Sequence, residues 1–400
     1  MLSSDEEKNI LKIIDEDEEE IIEFLKKLVK TNSENPPGNE KGVANIIAER
    51  LKSFGCKVEM QKVEKDRFNV IGIIEGKTKD KLLFNGHLDT VKVGNLTKWK
   101  YNPLGAEIHD GILYGRGAAD MKAGLVSMIY AIKALVKNGV QFNRGIMFTG
   151  VIDEEVYFKG TKALIKDSKL SDCKMGFVSE PSNLKIVIRQ KGGLEFTAKT
   201  YGKYAHSGEA FSGVNAIYRM GKVIEALERY NKNLKRRMNL PVLKYPTVNI
   251  GVIKGGTGVS FVPDSCEIDF DRSVLPGESL TTARGEVFKV IENIKKKHDI
   301  KVELKENQCF KLWEISKDQP VVKNLSEAYY KVFKKKAVYS GLNGYTEAEI
   351  LANNDIPSVV FGPGDLHTAH SPNERVKIQQ VLDATKIYAL IGHEFVKIDN

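Results

Sequence analysis

Chemistry in this chain starts at Leu82-Leu83-Phe84-Asn85-Gly86-His87-Leu88-Asp89-Thr90, where an apolar run ends in a histidine and an aspartate two residues apart. Side chains alternate along extended backbone, so His87 and Asp89 share a face. An imidazole whose second ring nitrogen is backed by a carboxylate is a common form of metal ligand. Taken alone, the pair reads better as a loop histidine beside a solvated aspartate. Two further strands end similarly. Gly145–Val151 runs into Asp153-Glu154-Glu155, and Lys174–Val178 runs into Ser179-Glu180-Pro181. Adjacent carboxylates can divide the work, one holding a cation and the other taking a proton. In open α/β sheets, sites gather at the carboxyl ends of strands, and three such endings point to one site.

A fourth position is Asp120, which the turn Gly115-Arg116-Gly117 delivers to the start of a helix running to about Asn138. It reads as a helix cap, as a ligand, or as both, because the positive end of a helix steadies a carboxylate. The turn lacks GxxxxGK[ST] and the GxGxxG frame, which argues against nucleotide binding. Near the end of the chain His367 and His370 stand three apart in a loop and compete for one ligand position.

Several elements must carry these residues. Ser4-Asp5-Glu6-Glu7 is a capping box. It opens a helical region to about Lys30, with a possible break in the acidic stretch 15–20. Asn35-Pro36-Pro37-Gly38 is a strong turn. A helix over Glu40–Phe54 and strands near Lys57–Val63, Asn69–Glu75 and Lys81–Phe84 follow, and Asp110-Gly111 marks a hairpin. From about Ile188 the order changes to strand Gly193–Tyr201, helix Asn215–Tyr230, strands Thr247–Ile253 and Ser265–Ser273, helix Leu280–Lys297 and strand Lys301–Lys305. This is a βαββαβ unit of the ferredoxin-like kind, read as an insertion. Helices at Pro320–Phe333, Glu347–Asn353 and Ile378–Phe395 and a strand at Pro357–Phe361 complete the chain. The expected division is 1–187 with 307–400 as one domain and 188–306 as the inserted one.

The 400 residues suit two or three domains. Hydrophobic content of 42% beside 28% charged residues is that of a globular protein. No apolar run reaches the roughly 18 residues that cross a bilayer, and the acidic beginning lacks the features of a signal peptide. The expectation is a cytoplasmic protein without a membrane partner. Cys56, Cys173, Cys266 and Cys309 are far apart, which argues against disulfides and thiolate zinc sites. The net charge of +8 is scattered, and with 2 Trp there is no aromatic–basic platform for nucleic acid.

Read together, these motifs make the chain resemble the M20 family of dizinc metallopeptidases and deacylases, which contains acetylornithine deacetylase, succinyl-diaminopimelate desuccinylase, aminoacylase and glutamate carboxypeptidase. The residues that carry the resemblance are Asn35-Pro36-Pro37-Gly38, Gly86-His87-Leu88-Asp89-Thr90, Gly115-Arg116-Gly117 through Asp120-Met121-Lys122, Asp153-Glu154-Glu155, Ser179-Glu180-Pro181 and Ala369-His370-Ser371-Pro372-Asn373-Glu374. The resemblance implies a zinc-exopeptidase-like αβα sandwich with an inserted lid or dimerisation domain. It implies two Zn²⁺ per subunit, with Co²⁺ as a substitute. Asp120 would bridge, with His87 and Glu180 on one metal and Glu155 and His370 on the other. Glu154 matches the general base, Asp89 the support of His87, and the Asp120–Met121 peptide is expected to be cis.

The same likeness assigns outer contacts. His206, in Gly202-Lys203-Tyr204-Ala205-His206-Ser207-Gly208, resembles a histidine that in dimeric members reaches the partner's active site and stabilises an oxyanion. Arg272 matches an arginine that grips a substrate carboxylate, a task suited to its fork. Ser260 stands where the family often has Asn. Gly362 and Gly364 could offer backbone N–H groups to the substrate. Thr346-Glu347-Ala348 resembles acetylornithine deacetylase. The expected activity is therefore metal-dependent hydrolysis of a small anionic N-acyl amino acid or short peptide by a homodimer joined through the inserted domain. A desuccinylase, a dipeptidase and a carboxypeptidase share this chemistry. A non-catalytic amino-acid-binding protein would have no need of Glu154, and a nucleotide-dependent ligase would require a phosphate loop that is not found.

Overall fold

The structure is a computed structural model describing residues 4–397. The chain divides into two compact units. The first comprises residues up to Ile188, Ile315–Ser340 and the stretch from Thr346 onward, and the second comprises Arg189–Glu314 with Gly341–Tyr345.

Six strands of the first unit lie side by side in the order Lys57–Glu64, Arg67–Ile74, Gly145–Val151, Lys81–His87, Cys173–Val178 and Ser358–Val360. The last four run parallel to one another, and Arg67–Ile74 runs antiparallel to Gly145–Val151. Lys81–His87 and Gly145–Val151 are buried along their whole length, the signature of strands covered on both faces. Alternation along Lys81–His87 shows the two layers. Phe84 packs edge-on to Tyr388 of helix Ile378–Lys397 with ring centroids 5.3 Å apart. Its neighbour Asn85 faces the other way and donates to Glu347 of helix Glu347–Ala352 at 2.5 Å. This is the αβα sandwich. The pairing His87↔Val151 and Asn85↔Val178 brings the carboxyl ends of three parallel strands level. The residues that follow each strand therefore converge at one rim.

The second unit is a four-stranded antiparallel sheet in the order Thr247–Gly255, Ser265–Val274, Gly192–Tyr201 and Val302–Phe310. Helices Ala216–Arg237 and Leu280–His298 bury Leu227, Val223, Val287 and Ile291 with Phe196 and Phe270. In chain order this is the βαββαβ pattern. The last strand continues through 306 to Phe310, and the first helix continues past Tyr230 to Arg237 because Leu234 keeps its apolar face. Helix Lys159–Lys166 and strand Ile186–Gln190 have no counterpart in the sequence reading. Among the described residues no disulfide joins the four cysteines. No helix among the described residues is long and apolar enough to cross a membrane.

Candidate metal centre

Each site residue in the first unit is placed by a chain ending. His87 is the last residue of its strand, Glu154 and Glu155 follow Val151 across a turn, and Glu180 follows Val178. Asp120 sits between the left-handed Gly117 (φ 81°) and helix Ala123–Lys137, in a segment whose Asp120–Met121 peptide is cis. His370 comes from a loop and has a positive φ of 56°.

Asp120 divides the site in two. Its Oδ1 lies 3.0 Å from His87 Nε2, and its Oδ2 lies 3.2 Å from His370 Nε2. On the first side Glu180 Oε1 is 3.6 Å from His87 Nε2; on the second, Glu155 Oε2 is 2.9 Å from His370 Nε2. His87, Asp120 and Glu155 each present a ligand atom within 4.8 Å of the others. The side chains of His87, Asp120, Glu155 and Glu180 are buried, whereas that of His370 is 54% exposed. His367 is exposed, and it is His370 that meets Asp120.

The electrostatics follow from this crowding. Burial alone would favour neutral His87, but Glu180 and Asp120 overcome it and raise its proton affinity well above the ordinary histidine value. Hydrogen bonds to Asp120 and Glu155 raise His370 to about 10. Burial raises Glu154 and Glu180 well above the usual carboxylate range, and the surrounding carboxylates add to it. Glu155 is raised by burial and by Asp120. Asp120 goes the other way: burial is outweighed by its two histidines. A pocket that draws protons onto both histidines is one that calls for positive charge. Glu155 Oε1 and Glu180 Oε1 are buried with no hydrogen-bond partner among the described residues. Nitrogen and carboxylate donors with such unsatisfied oxygens fit a pair of divalent cations.

Asp89 carries His87 differently from the expectation. Nδ1 of His87 meets the backbone carbonyl of Asp89 at 2.9 Å, while the nearest Asp89 carboxylate oxygen is 3.7 Å away. That carboxylate instead accepts the backbone N–H groups of Glu154 at 3.2 Å and Glu155 at 3.1 Å. It orients the acidic pair, and the imidazole is oriented by the main chain.

The residues expected to contact substrate are placed as follows. Arg272 is wholly buried in the second unit. Its Nε donates to the Tyr230 hydroxyl at 3.0 Å, its guanidinium also reaches the Ser273 carbonyl, and Nη2 meets Glu278 at 2.7 Å. Its fork is occupied by protein acceptors. Gly362 N–H donates to Ser182 Oγ and Gly364 N–H to Gln380 Oε1, both at 3.0 Å, so neither is offered outward. His206 and Ser260 are neighbours in the second unit: His206 pairs with Phe261, and the Ser260 carbonyl accepts from Ser207 N–H at 2.9 Å. The His206 ring is exposed, and its Nδ1 accepts from Gly208 N–H at 3.1 Å.

Sequence reasoning missed the residues behind the ligands. Buried Glu374 accepts from Ala119 N–H at 2.9 Å and Asp120 N–H at 3.0 Å through one oxygen, and from Arg116 Nη1 at 2.5 Å through the other. Buried Glu347 accepts from Asn85 and from the Thr161 hydroxyl at 2.5 Å each. Burial, ahead of any other cause, lifts it to about 7. Glu374 lay within a recognised motif, so its position was visible and its task was not.

The model of the peptidase family M20/M25/M40 matches residues 83–393. The chain belongs to this family. As a family member it is a hydrolase of amide or peptide bonds. It is 28% identical over 410 residues to an N-formyl-4-amino-5-aminomethyl-2-methylpyrimidine deformylase of Bacillus subtilis (strain 168), covering 95% of both chains. It is also 28% identical over 365 residues to an acetylornithine deacetylase of Aliivibrio salmonicida (strain LFI1238), covering 89% of this chain and 93% of that one. Among solved structures, the dipeptidase Dug1p of Saccharomyces cerevisiae superposes with a TM-score of 0.83 at 16% identity, covering 98% and 99% of the two chains. That likeness concerns the fold.

Proposed function

We propose that this chain is a cytoplasmic dizinc deacylase that hydrolyses the amide of a small N-acyl amine. The observation that carries the reading is the division of the Asp120 carboxylate. One oxygen faces His87 and Glu180 and the other faces His370 and Glu155, so that these two groups of residues would each hold one cation with Asp120 between them. Bound at these positions, two divalent cations supply Lewis acidity toward the amide carbonyl and toward water. Glu154 takes the proton of the attacking water and delivers it to the departing amine. Its burial raises its proton affinity above that of an ordinary carboxylate, which suits a group that must accept a proton and pass it on. The exposed His206 is the oxyanion donor in this reading, serving a partner copy. Dimerisation is assigned to the second unit, where edge strand Thr247–Gly255 exposes Val252 and Ile253. Sedimentation tests that part: a monomer at micromolar concentration refutes it.

The first substrate reading is an N-acyl amino acid of the acetylornithine type. A second is favoured by Arg272. With its guanidinium committed to Tyr230, Ser273 and Glu278, it provides no grip for a carboxylate. An N-formyl aminomethylpyrimidine, the substrate type named by the B. subtilis relative, carries none. Hydrolysis of N-acetylornithine, N-succinyl-diaminopimelate, a dipeptide and the formylated pyrimidine, each with added Zn²⁺ or Co²⁺, separates these readings. Turnover of none of them would favour a binding protein and sink the deacylase proposal.

A further inference from the structure

The turn Asn35-Pro36-Pro37-Gly38 has no part in the chemistry above, yet it lies against the carboxylates that shape the site. Asn35 is buried, and its Nδ2 donates both to Asp89 Oδ2 at 2.9 Å and to Asp153 Oδ1 at 3.0 Å. Its backbone N–H meets the Thr90 carbonyl at 2.9 Å, and Thr90 N–H returns to Ser33 at 3.0 Å. The turn is thereby registered against the end of the His87–Asp89 segment. From the other side Arg67 Nη2 donates to the same Asp153 Oδ1 at 3.1 Å, and Arg67 is itself fixed by Glu40 and Glu64. Gly38 makes this approach possible. Its φ is +99°, and a Cβ there would overlap the Arg67 guanidinium.

The two carboxylates that Asn35 joins govern one short segment. Asp153 occupies a left-handed conformation (φ 65°) immediately before Glu154. Asp89 receives the backbone N–H groups of both Glu154 and Glu155. Among the described residues the Asn35 amide is the side-chain group that donates to both. We infer that Asn35 is a positioning residue: it clamps Asp89 to Asp153 and so fixes the turn that aims Glu154 and Glu155. The inference rests on the proposed function for the roles of those two residues, but the clamp itself can be read without metal or substrate.

The test uses the full chain as wild type, Asn35→Leu and Asn35→Ser. Leucine keeps the approximate size and removes both donors, whereas serine retains one. Hydrogen exchange, followed on metal-free protein by peptides spanning 152–156, reads the Glu154 and Glu155 amides. Asn35→Leu should speed exchange there at least tenfold, Asn35→Ser less, with peptides of the second unit unchanged. Competition against a chromogenic chelator then reads Zn²⁺ affinity, expected to fall about 10- to 100-fold for leucine and less for serine, the range found when groups supporting ligands are removed. On whichever substrate turns over, kcat should fall in the same order with KM within about twofold. The inference is overturned if both variants leave exchange at these amides and Zn²⁺ affinity within twofold of wild type, whatever happens to thermal stability. Should Asn35→Leu fail to fold, unchanged exchange in Asn35→Ser overturns it alone. A wild-type protein that binds no Zn²⁺ would refute the proposed function, and the exchange result would still decide the role of Asn35.

Discussion

Binding of Zn²⁺ should depend steeply on pH, and the site geometry sets the slope. A cation competes with protons for the histidine nitrogens. In the metal-free protein His370 is held at about 10 by Asp120 and Glu155, and His87 is raised well above its ordinary value against the effect of burial. At pH 7 the His370 ring carries an extra proton that must leave, and the raised His87 shifts the balance in the same direction. Each displaced proton makes affinity change about tenfold per pH unit, or about 1.4 kcal/mol. His370 alone therefore gives about a tenfold loss of overall affinity per unit as pH falls, and His87, Glu155 and Glu180, also raised, steepen it. Histidines with an ordinary value near 6.5 would give almost no slope above pH 7.5. The assay is chelator competition between pH 6 and 8.5, with calorimetry in buffers of different ionisation enthalpy to count protons. A slope of at least one that persists above pH 7.5 is expected. Release of less than one proton, or a flat profile above pH 7.5, would refute the electrostatic account of the pocket.

Other outcomes follow from single contacts. Glu374→Gln removes the charge that pairs with buried Arg116, so unfolding free energy from denaturant titration should fall by about 3–5 kcal/mol. Zn²⁺ affinity should fall with it, because Asp120 N–H also rests on Glu374. Arg272→Ala should lower stability by about 3 kcal/mol while changing KM less than threefold; a tenfold rise in KM would restore the substrate-gripping role. Gly38→Ala places a side chain at φ +99° against Arg67 and should cost about 1–3 kcal/mol, visible as a lower thermal midpoint.

Much of the first unit could be read from the sequence because its information is local. A continuous apolar run such as Leu82–Phe84 or Gly145–Val151 describes a strand covered on both sides, and the acids directly after it mark the rim of the sheet. The βαββαβ order was legible for the same reason, since its helices and strands are long and periodic. Short elements such as Lys159–Lys166 carry too few periods to stand out. Arg272 carries a signal of its burial in the period of its strand. On Ser265–Val274 the buried positions Cys266, Ile268 and Phe270 alternate, and the next step of two is Arg272. The period alone places it on the core side, where its donors must be met by the protein. Asp89 shows a real limit. Shared facing of His87 and Asp89 suggested a carboxylate–imidazole contact, but the chain leaves the strand at His87, and the carboxylate turns to main-chain donors 65 and 66 residues away in sequence. Contacts of that range, like those of Asn35 and Glu374, exist only once the strand ends have been brought level.

The central claim is that Glu154 moves the proton at a two-cation site. Its most direct test measures, on the same preparation, bound zinc by elemental analysis and hydrolysis of the best substrate by Glu154→Gln. The account predicts two zinc ions per chain, as in wild type, with kcat lower by about 10²- to 10⁴-fold. Undiminished turnover would contradict Glu154 as the base, and one zinc or none in the wild-type chain would contradict the division of the site by Asp120.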